Sequence, residues 1–236
     1  MNKTHSKTVQ GKGLKLVKSY IKLNLLNMLS KIVLLITILA FGSALQSNVE
    51  AQTFKRVNEA KGLPVGAQVE DFTASDQFDK EFRLSEQLAK GPVVIIFYRG
   101  QWCPVCNRHL GQLQDSLALI ESSGARLIAI APEQPPYLKS MATKTEAEFS
   151  LLYDEAYRIS NAFDVTFLPD QASIDAYNER LDANLSEANT DDSDRLPIPA
   201  TFVINQKGEI VWRHFDPDYR KRASAKDIMN ALEALK

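Results

Sequence analysis

Two cysteines are the residues of this chain with the clearest capacity for chemistry: Cys103 and Cys106, in the stretch FYRGQWCPVCNRHL. They are the only cysteines in 236 residues, and their spacing suits a metal clip, a disulfide staple or a redox couple. A disulfide staple between these two cysteines would add little stability, because closing so short a loop removes little entropy from the unfolded chain. A zinc site needs four ligands, and His109 is the one further candidate in the stretch. The sequence therefore favours a redox couple without metal or cofactor, with a structural pair as the alternative.

The residues around the pair predict a strand before it and a helix after it. GPVVIIFYRG, residues 91–100, contains a continuous apolar run typical of a strand buried on both faces of a sheet. Leucines recur at helical spacing after Pro104, and proline suits the first helical turn. Cys103 is thus predicted to begin a helix, where free N–H groups and the helix dipole lower the pKa of a thiol. Cys106 shares the inward helix face and is predicted to be the less exposed thiol.

Five further residues are predicted to support the pair. Arg99 and Arg108 are close to it in sequence and would stabilise a charged sulfur, and Pro104 would open the helix. Trp102 is included as a neighbour, although aromatic residues around a buried strand more often belong to the core. Pro199, in LPIPATFVIN, directly precedes another predicted strand. A cis bond there would expose backbone for a substrate chain, and a trans proline that only starts the strand is the alternative.

The N-terminal region has the pattern of a secretory signal peptide over residues 1–51. It carries seven lysines and one acidic residue, an apolar run at residues 32–45, and the small residues Val49 and Ala51 before the predicted cleavage point. The apolar run is shorter than the ~20 residues that span a bilayer. We therefore expect export across the inner membrane, to the periplasm, and no stable membrane insertion after cleavage. An uncleaved signal anchor is the alternative, and Met28 would begin a more typical signal than Met1.

The remaining chain is predicted to form one acidic domain. Residues 52–236 carry 21 basic and 28 acidic residues, so they have no electrostatic reason to bind nucleic acid or anionic lipid. Residues 52–61 form a polar lead-in, and residues 62–236 contain an N-terminal hairpin, buried strands, helices and a closing hairpin with a capped helix. A partly helical, acidic stretch at about 170–197 does not fit this alternation of strands and helices and is predicted to be an insertion.

These motifs resemble those of the alkyl hydroperoxide reductase/thiol-specific antioxidant family, the peroxiredoxins, and in particular peroxiredoxin-like members with an FYRGxWCPxC motif. The resemblance covers nearly all of residues 62–236, from LPVGAQVEDFTASD to PATFVINQKGEIVWRHFDPDYRKR. It implies an α/β, thioredoxin-like fold with a central mixed β-sheet flanked by helices. It also implies an N-terminal hairpin and a helical insertion before a strand that begins at a cis-proline.

The family's P-x-x-x-T/S-x-x-C motif can be laid on this sequence without gaps. The cysteine that attacks peroxide then falls on Cys106, the Thr position on Cys103 and the Pro position on Arg99. The family's active-site arginine falls on Pro199. Two of these replacements, Cys103 and Pro199, are what thioredoxins and exported disulfide oxidoreductases have there. Thioredoxin's buried acid is predicted to be absent, because Ile96 occupies its strand position.

Three functions follow from these observations. The resemblance implies an exported thiol peroxidase that reduces a hydroperoxide through the CxxC pair and is regenerated by a thioredoxin-like dithiol. The residues around the pair favour a periplasmic thiol-disulfide oxidoreductase, in which Cys103 attacks a protein disulfide, Cys106 resolves the mixed disulfide and Pro199 holds the substrate strand. A redox-inert thioredoxin-like binding module is the third. The resemblance leads us to expect the peroxidase, with its oligomeric state left open.

Overall fold

The structure, a computed structural model, describes residues 54–235 and, ahead of them, residues 28, 30 and 31. The chain divides into two compact units, Met1–Thr53 and Phe54–Lys236. The predicted signal peptide lies outside the described residues, apart from residues 28, 30 and 31. The signal peptide, its cleavage point and the choice of start codon therefore stay predictions. No helix among the described residues is long and apolar enough to cross a membrane.

The second unit is built around a mixed five-stranded sheet. The strands, in chain order, are β1 (Thr73–Ser75), β2 (Glu81–Arg83), β3 (Val93–Phe97), β4 (Arg126–Ala131), β5 (Ser150–Tyr153), β6 (Thr166–Phe167), β7 (Leu196–Pro197), β8 (Ala200–Ile204) and β9 (Ile210–Phe215). The central sheet has the order β5–β4–β3–β8–β9. Strands β3, β4 and β5 are parallel, whereas β8 runs antiparallel to both β3 and β9. The predicted N-terminal hairpin is the antiparallel pair β1 and β2.

Helices lie between these strands and after the last one. They are α1 (Leu84–Leu88), α2 (Pro104–Asp115), α3 (Leu117–Ser122), α4 (Pro135–Thr145), α5 (Arg158–Ala162), α6 (Gln171–Leu181), α7 (Leu185–Ala188) and α8 (Ala225–Glu233), with a 3₁₀ turn at Glu155–Tyr157. The predicted 170–197 segment contains α6, α7 and β7, and β7 pairs with β6. The closing helix α8 has the predicted capping box between Ser224 and Asp227.

The core explains why β3 reads as an unbroken apolar run. Alternate residues of β3 face opposite sides of the sheet, and all five are fully buried. Val94 and Ile96 pack with α2, α3 and α8, whereas Val93 and Ile95 pack with the N-terminal hairpin, α1 and α5. Both faces are therefore covered, and the predicted α/β fold with a mixed sheet flanked by helices is confirmed.

Two sequence-based expectations about local structure are wrong. The helix that the leucine spacing predicts after Pro104 is not continuous, because Ser116 leaves helical geometry and separates α2 from α3. The bond before Pro199 is trans, since the described residues contain no cis peptide bond. The tertiary amide before a proline still favours trans by about 0.5–1 kcal/mol. In the structure Ile198 also donates its backbone N–H to the Val165 carbonyl oxygen at 2.7 Å.

Candidate active site

The cysteine pair lies where the sequence places it, at the junction of a strand and a helix. The chain leaves β3 after Phe97, turns through residues 98–102 and enters α2. Cys103 is the N-cap of α2, and its Sγ accepts a hydrogen bond from the backbone N–H of Cys106 at 3.3 Å. Pro104 is the first helical residue and is exposed. This geometry directs the positive end of α2 at the sulfur of Cys103.

Both cysteines are unbonded thiols, and both are completely buried. Cys106 is withheld from solvent as predicted, but the prediction that it is the less exposed of the two thiols is wrong, because Cys103 is equally buried. The reason lies in the side chains packed on the two sulfurs. Arg99 covers Cys103, and Arg222, from the loop of residues 216–224 between β9 and α8, covers Cys106.

Arg99 is a buried cation held against Cys103 by aromatic rings. Its Nη2 donates a hydrogen bond to Cys103 Sγ at 3.2 Å, and the residue is 2% exposed. The guanidinium carbon lies 3.8 Å from the ring centroid of Tyr219, 4.9 Å from that of Trp102 and 5.0 Å from that of Tyr177. Such contacts offset part of the cost of burying a charge. The predicted support from Arg99 and Trp102 thus has a geometric basis, and α6 contributes Tyr177 to it.

The second guanidinium at the pair was missed by the sequence analysis. Arg222 Nη2 lies 3.5 Å from Cys106 Sγ. The predicted partner Arg108 is instead exposed on α2, two positions beyond Cys106 and therefore on another side of the helix. Ala223 is anchored beside the pair because its carbonyl oxygen is bonded to His109 Nε2 at 2.9 Å. No local pattern links Arg222 to Cys106, since 116 positions separate them.

The pKa values of the two thiols are shifted in opposite directions. Burial alone would raise the pKa of Cys106, but a hydrogen bond from Cys103 and the charges of Arg222 and Arg99 outweigh it, so this pKa lies well below that of an ordinary thiol. The pKa of Cys103 is raised by its hydrogen bond to Cys106 and by burial, against the opposing charge of Arg99. The prediction of a low pKa at Cys103 is thus wrong, because the hydrogen bond to Cys106 and burial outweigh the charge of Arg99.

A buried carboxylate adjoins the turn that carries the pair. Glu133, just after β4, is completely buried, and both of its oxygens lie 2.8 Å from the backbone nitrogen of Gln101. Burial, and after it the nearby Cys106 charge, raises its pKa to about 8 against the Gln101 hydrogen bond and the charge of Lys144. The expectation concerned thioredoxin's acid position on the strand, which is Ile96 and lies buried in β3. The acid here comes from the neighbouring strand, which that comparison could not reveal.

A cavity of about 500 Å³ is lined in part by Arg99 and is mostly apolar. Pro199 is buried and lines it together with Arg99, Tyr177 and Tyr219. Other lining residues come from the lead-in and the β6–α6 connection: Arg56, Val57, Asn58, Phe167, Leu168, Pro169, Asp170 and Ser173. The predicted insertion and lead-in therefore help to form a pocket next to the redox pair. Within the described residues no group of three or more His, Cys, Asp and Glu side chains could hold a metal ion.

Comparisons with known proteins agree with this architecture. Residues 65–213 match the AhpC/TSA family. Peroxiredoxin Q of Populus jackii chloroplasts is 31% identical over 119 residues, which are 50% of this chain and 53% of that protein. The thiol-disulfide oxidoreductase ResA of Geobacillus thermodenitrificans is 25% identical over 145 residues, covering 61% of this chain and 78% of that protein. The chain thus spans about half the length of the peroxiredoxin Q relative and more of ResA.

Solved structures share the fold. The crystal structure of peroxidoxin BcpB from Mycobacterium tuberculosis superposes with a TM-score of 0.57 at 21% identity, over 74% of this chain and 99% of that chain. Identity at this level supports the thioredoxin-like fold and carries no functional detail. The match over residues 65–213 includes β3, the CxxC turn, α2 and the strand after Pro199. This chain therefore belongs to the AhpC/TSA family.

Proposed function

We propose that this chain is a thiol peroxidase in which Cys106 attacks a hydroperoxide and Cys103 resolves the product. The observation that carries the proposal is the arrangement of Arg99 and Arg222 on two adjoining buried sulfurs, which favours a thiolate at Cys106. The thiolate is the nucleophilic form of cysteine. Membership of the AhpC/TSA family and the peroxiredoxin relatives support an oxidoreductase of the peroxidase type.

The residues present can carry both oxidative steps. The Cys106 thiolate attacks the terminal oxygen of the hydroperoxide, so an S–O bond forms as the O–O bond breaks, and the sulfur becomes a sulfenic acid. The released alkoxide takes up a proton. Cys103, whose Sγ accepts a hydrogen bond from the Cys106 backbone N–H, then forms the disulfide and water leaves. Arg222 is placed to stabilise the thiolate before the first step and the departing oxygen during it.

Access to Cys106 requires movement, because neither sulfur is exposed. The 216–224 loop carries both Tyr219, over Arg99, and Arg222, on Cys106. Its ion pairs, Lys221 with Asp216 and Arg220 with Asp218, are on the surface, where such pairs contribute little stability. Displacement of this loop would uncover both Arg99 and Cys106 and open a path from the adjoining cavity to the thiolate.

A thiol-disulfide oxidoreductase is the second candidate, favoured by the ResA relatives and by the position of Cys103. Two ResA proteins match over 78% and 80% of their own lengths, more than the Populus peroxiredoxin Q. Cys103 caps α2 and contacts Arg99, as an attacking thiol would. Its raised pKa and full burial weigh against attack on a protein disulfide before the 216–224 loop moves.

One experiment separates these functions. Reduced wild-type protein, Cys103→Ser and Cys106→Ser are mixed with hydrogen peroxide or cumene hydroperoxide in a stopped-flow instrument, and sulfenic acid is trapped with dimedone. We expect rapid oxidation of wild type, a trapped sulfenic acid in Cys103→Ser and neither in Cys106→Ser. Oxidation no faster than that of a free thiol would remove the peroxidase, and efficient reduction of insulin by the same samples would establish the second candidate.

Export and the electron donor complete the proposal. The lysine-rich N-terminus, the apolar run at residues 32–45 and the small residues before Gln52 support secretion to the periplasm with cleavage after Ala51. A thioredoxin-like dithiol would then return the Cys103–Cys106 disulfide to the reduced state. Cell fractionation with N-terminal sequencing of the native protein tests the first point. A cytoplasmic protein that begins at Met1 or Met28 would contradict it.

A further inference from the structure

Glu133 is a buried acid that the two oxidative steps above leave unused. The residue is completely buried, and its hydrogen bonds among the described residues come from one donor, the backbone N–H of Gln101. No lysine or arginine in the described part of the chain forms an ion pair with it. A carboxylate in such surroundings pays a large desolvation cost, so its protonated form is favoured.

The carboxyl group is built into the turn that positions the cysteines. Gln101, which donates to it, lies two residues before Cys103, and Cys103 donates its own N–H to the Gly100 carbonyl oxygen at 3.1 Å. A Cβ atom on Gly100 would overlap Glu133 Oε1 and the indole Nε1 of Trp102. Glycine at this position therefore allows the acid to lie directly against the turn, next to an indole N–H that is buried without a hydrogen-bond partner among the described residues.

Charged and titratable groups on α2, on α4 and after β3 interact with this acid. Cys106 on α2 raises the pKa of Glu133 when it is ionised, and Lys144 on α4 lowers it. Tyr98, after β3, is fully buried, and burial followed by the charges of Glu133 and Cys106 holds its pKa well above the usual range. Tyr137 on α4 also responds to Glu133. Because Cys106 is the group here whose charge changes in the redox cycle, oxidation of the pair relieves the repulsion on Glu133.

We propose that Glu133 is the proton carrier of the cysteine pair, protonated while Cys106 is a thiolate and ionised once the pair is a disulfide. In the reduced state a proton on Glu133 spares the buried site a second negative charge beside the thiolate. In the oxidised state the thiolate is gone, and the Gln101 N–H and Lys144 can support the carboxylate. The donation to alkoxide described next rests on the proposed peroxidase, whereas the coupling to the pair does not.

The cycle balances with Glu133 in this role. Attack of the Cys106 thiolate on a hydroperoxide gives the sulfenic acid and an alkoxide, and Glu133 gives its proton to the alkoxide to form the alcohol. Disulfide formation then expels hydroxide, which leaves as water with the Cys103 proton. An external dithiol reduces the disulfide by two electrons and brings two protons. One returns to Cys103 and the other to Glu133, so that Cys106 is again a thiolate.

The test is the pH dependence of thiol-disulfide exchange with dithiothreitol, which involves no peroxide. Dithiothreitol supplies two protons with its two electrons. If the reduced pair and Glu133 keep both protons, the equilibrium constant for reduction of the protein disulfide is nearly independent of pH. This holds over the pH unit just below the pKa of Glu133, which is about 8. In Glu133→Gln only Cys103 keeps a proton, and the constant rises tenfold per pH unit. The amide oxygen of glutamine can still accept the Gln101 N–H.

Asp154→Asn is the matched control. Asp154 is also a fully buried carboxylate, just after β5, but its partners are the N–H groups of Ile159 and Ser160 and the Ser160 hydroxyl. We expect this variant to keep the wild-type pH dependence. If the logarithm of the equilibrium constant changed with pH by the same slope in wild type and in Glu133→Gln, the proposal would be overturned. A tenfold rise per unit in wild type would also overturn it, a result that needs no variant to fold. Failure of the peroxidase would appear only in the separate stopped-flow experiment.

Discussion

Two arginines of this domain lie in aromatic cages and differ in what balances their charge. Arg195 stacks on Phe54 and Tyr157, with its guanidinium carbon 4.5 and 4.2 Å from the ring centroids. It pairs with Asp191 at 2.8 Å, and its Nε donates to Ser193 at 2.8 Å. Arg99 stacks on three rings, yet it has no carboxylate partner among the described residues, and its Nε is unpartnered.

The group that balances the charge of each arginine decides what its aromatic cage does. At Arg195 the carboxylate satisfies the cation locally, and the assembly ties the lead-in to the segment after α7. At Arg99 the groups available to balance the charge are the sulfurs of Cys103 and Cys106. A buried cation without a carboxylate favours whichever neighbouring group can become negative. We therefore interpret the first cage as structural and the second as a device that creates a thiolate.

Arg99→Met should have the largest effect on the reaction of the cysteine pair with peroxide. The variant keeps an apolar side chain among the rings but removes the cation, so the pair loses a hydrogen bond and a charge. Loss of one preorganised charged donor lowers rates by about a hundredfold or more. We expect a fall of that size in the rate of oxidation by peroxide at neutral pH, measured by stopped flow. A wild-type rate would contradict the role assigned to Arg99.

Arg222→Met should have the next largest effect. Arg222 is nearer to solvent than Arg99 and contacts Cys106 at 3.5 Å, a longer distance than that from Arg99 to Cys103. Its removal should raise the pKa of Cys106, because the thiolate loses a nearby positive charge. Iodoacetamide alkylation of the reduced protein across pH measures this shift, and Arg108→Met, on the exposed side of α2, is the control that should leave the profile unchanged.

Arg195→Met should affect stability and spare the redox chemistry. The variant leaves Asp191 without its ion-pair partner and removes the cation from its two rings. A disrupted, partly buried charged hydrogen bond costs about 1.5–3 kcal/mol. Urea denaturation should show a loss of that order, while the rate of oxidation by peroxide stays at the wild-type value. A slowed reaction in a folded Arg195→Met protein would show that the two cages are not independent.

Tyr219→Leu should give the smallest change. The substitution removes the ring closest to the Arg99 guanidinium, at 3.8 Å, but leaves Trp102 and Tyr177 in place. A cation–π contact contributes about 0.5–2 kcal/mol, so the reaction with peroxide should slow severalfold if the ring mainly holds Arg99. A faster reaction would indicate instead that Tyr219 chiefly obstructs access to the pair.

Local sequence patterns predicted the framework of the site. The apolar run of β3, the proline at the start of α2 and the Ser224 capping box each depend on residues within a few positions of one another, and each is confirmed. The strand–helix junction beneath Cys103 follows from the first two. Such features are dictated by periodicity and backbone chemistry, which a single sequence displays directly.

The chemistry of the site depends on groups that only the tertiary structure brings together. Arg222 reaches Cys106 because the loop between β9 and α8 lies against α2, and Glu133 reaches Gln101 because β4 lies next to β3. Neither relation leaves a local signal. Sequence neighbourhood suggested Arg108 instead, and the helical turn directs that side chain outward. The wrong assignment of the low pKa to Cys103 followed from the same missing partners.

The most direct test of the account is the ultraviolet absorbance of the thiolate in reduced protein as the pH is lowered. The pKa of Cys106 lies below that of an ordinary thiol, so its thiolate should persist as pH falls below about 8.5 and disappear only when the pH reaches that lowered value. Cys103→Ser should keep this low-pH thiolate, since a serine hydroxyl can still donate to Cys106, and Cys106→Ser should lose it. A low-pH thiolate that survives in Cys106→Ser and vanishes in Cys103→Ser would contradict the account.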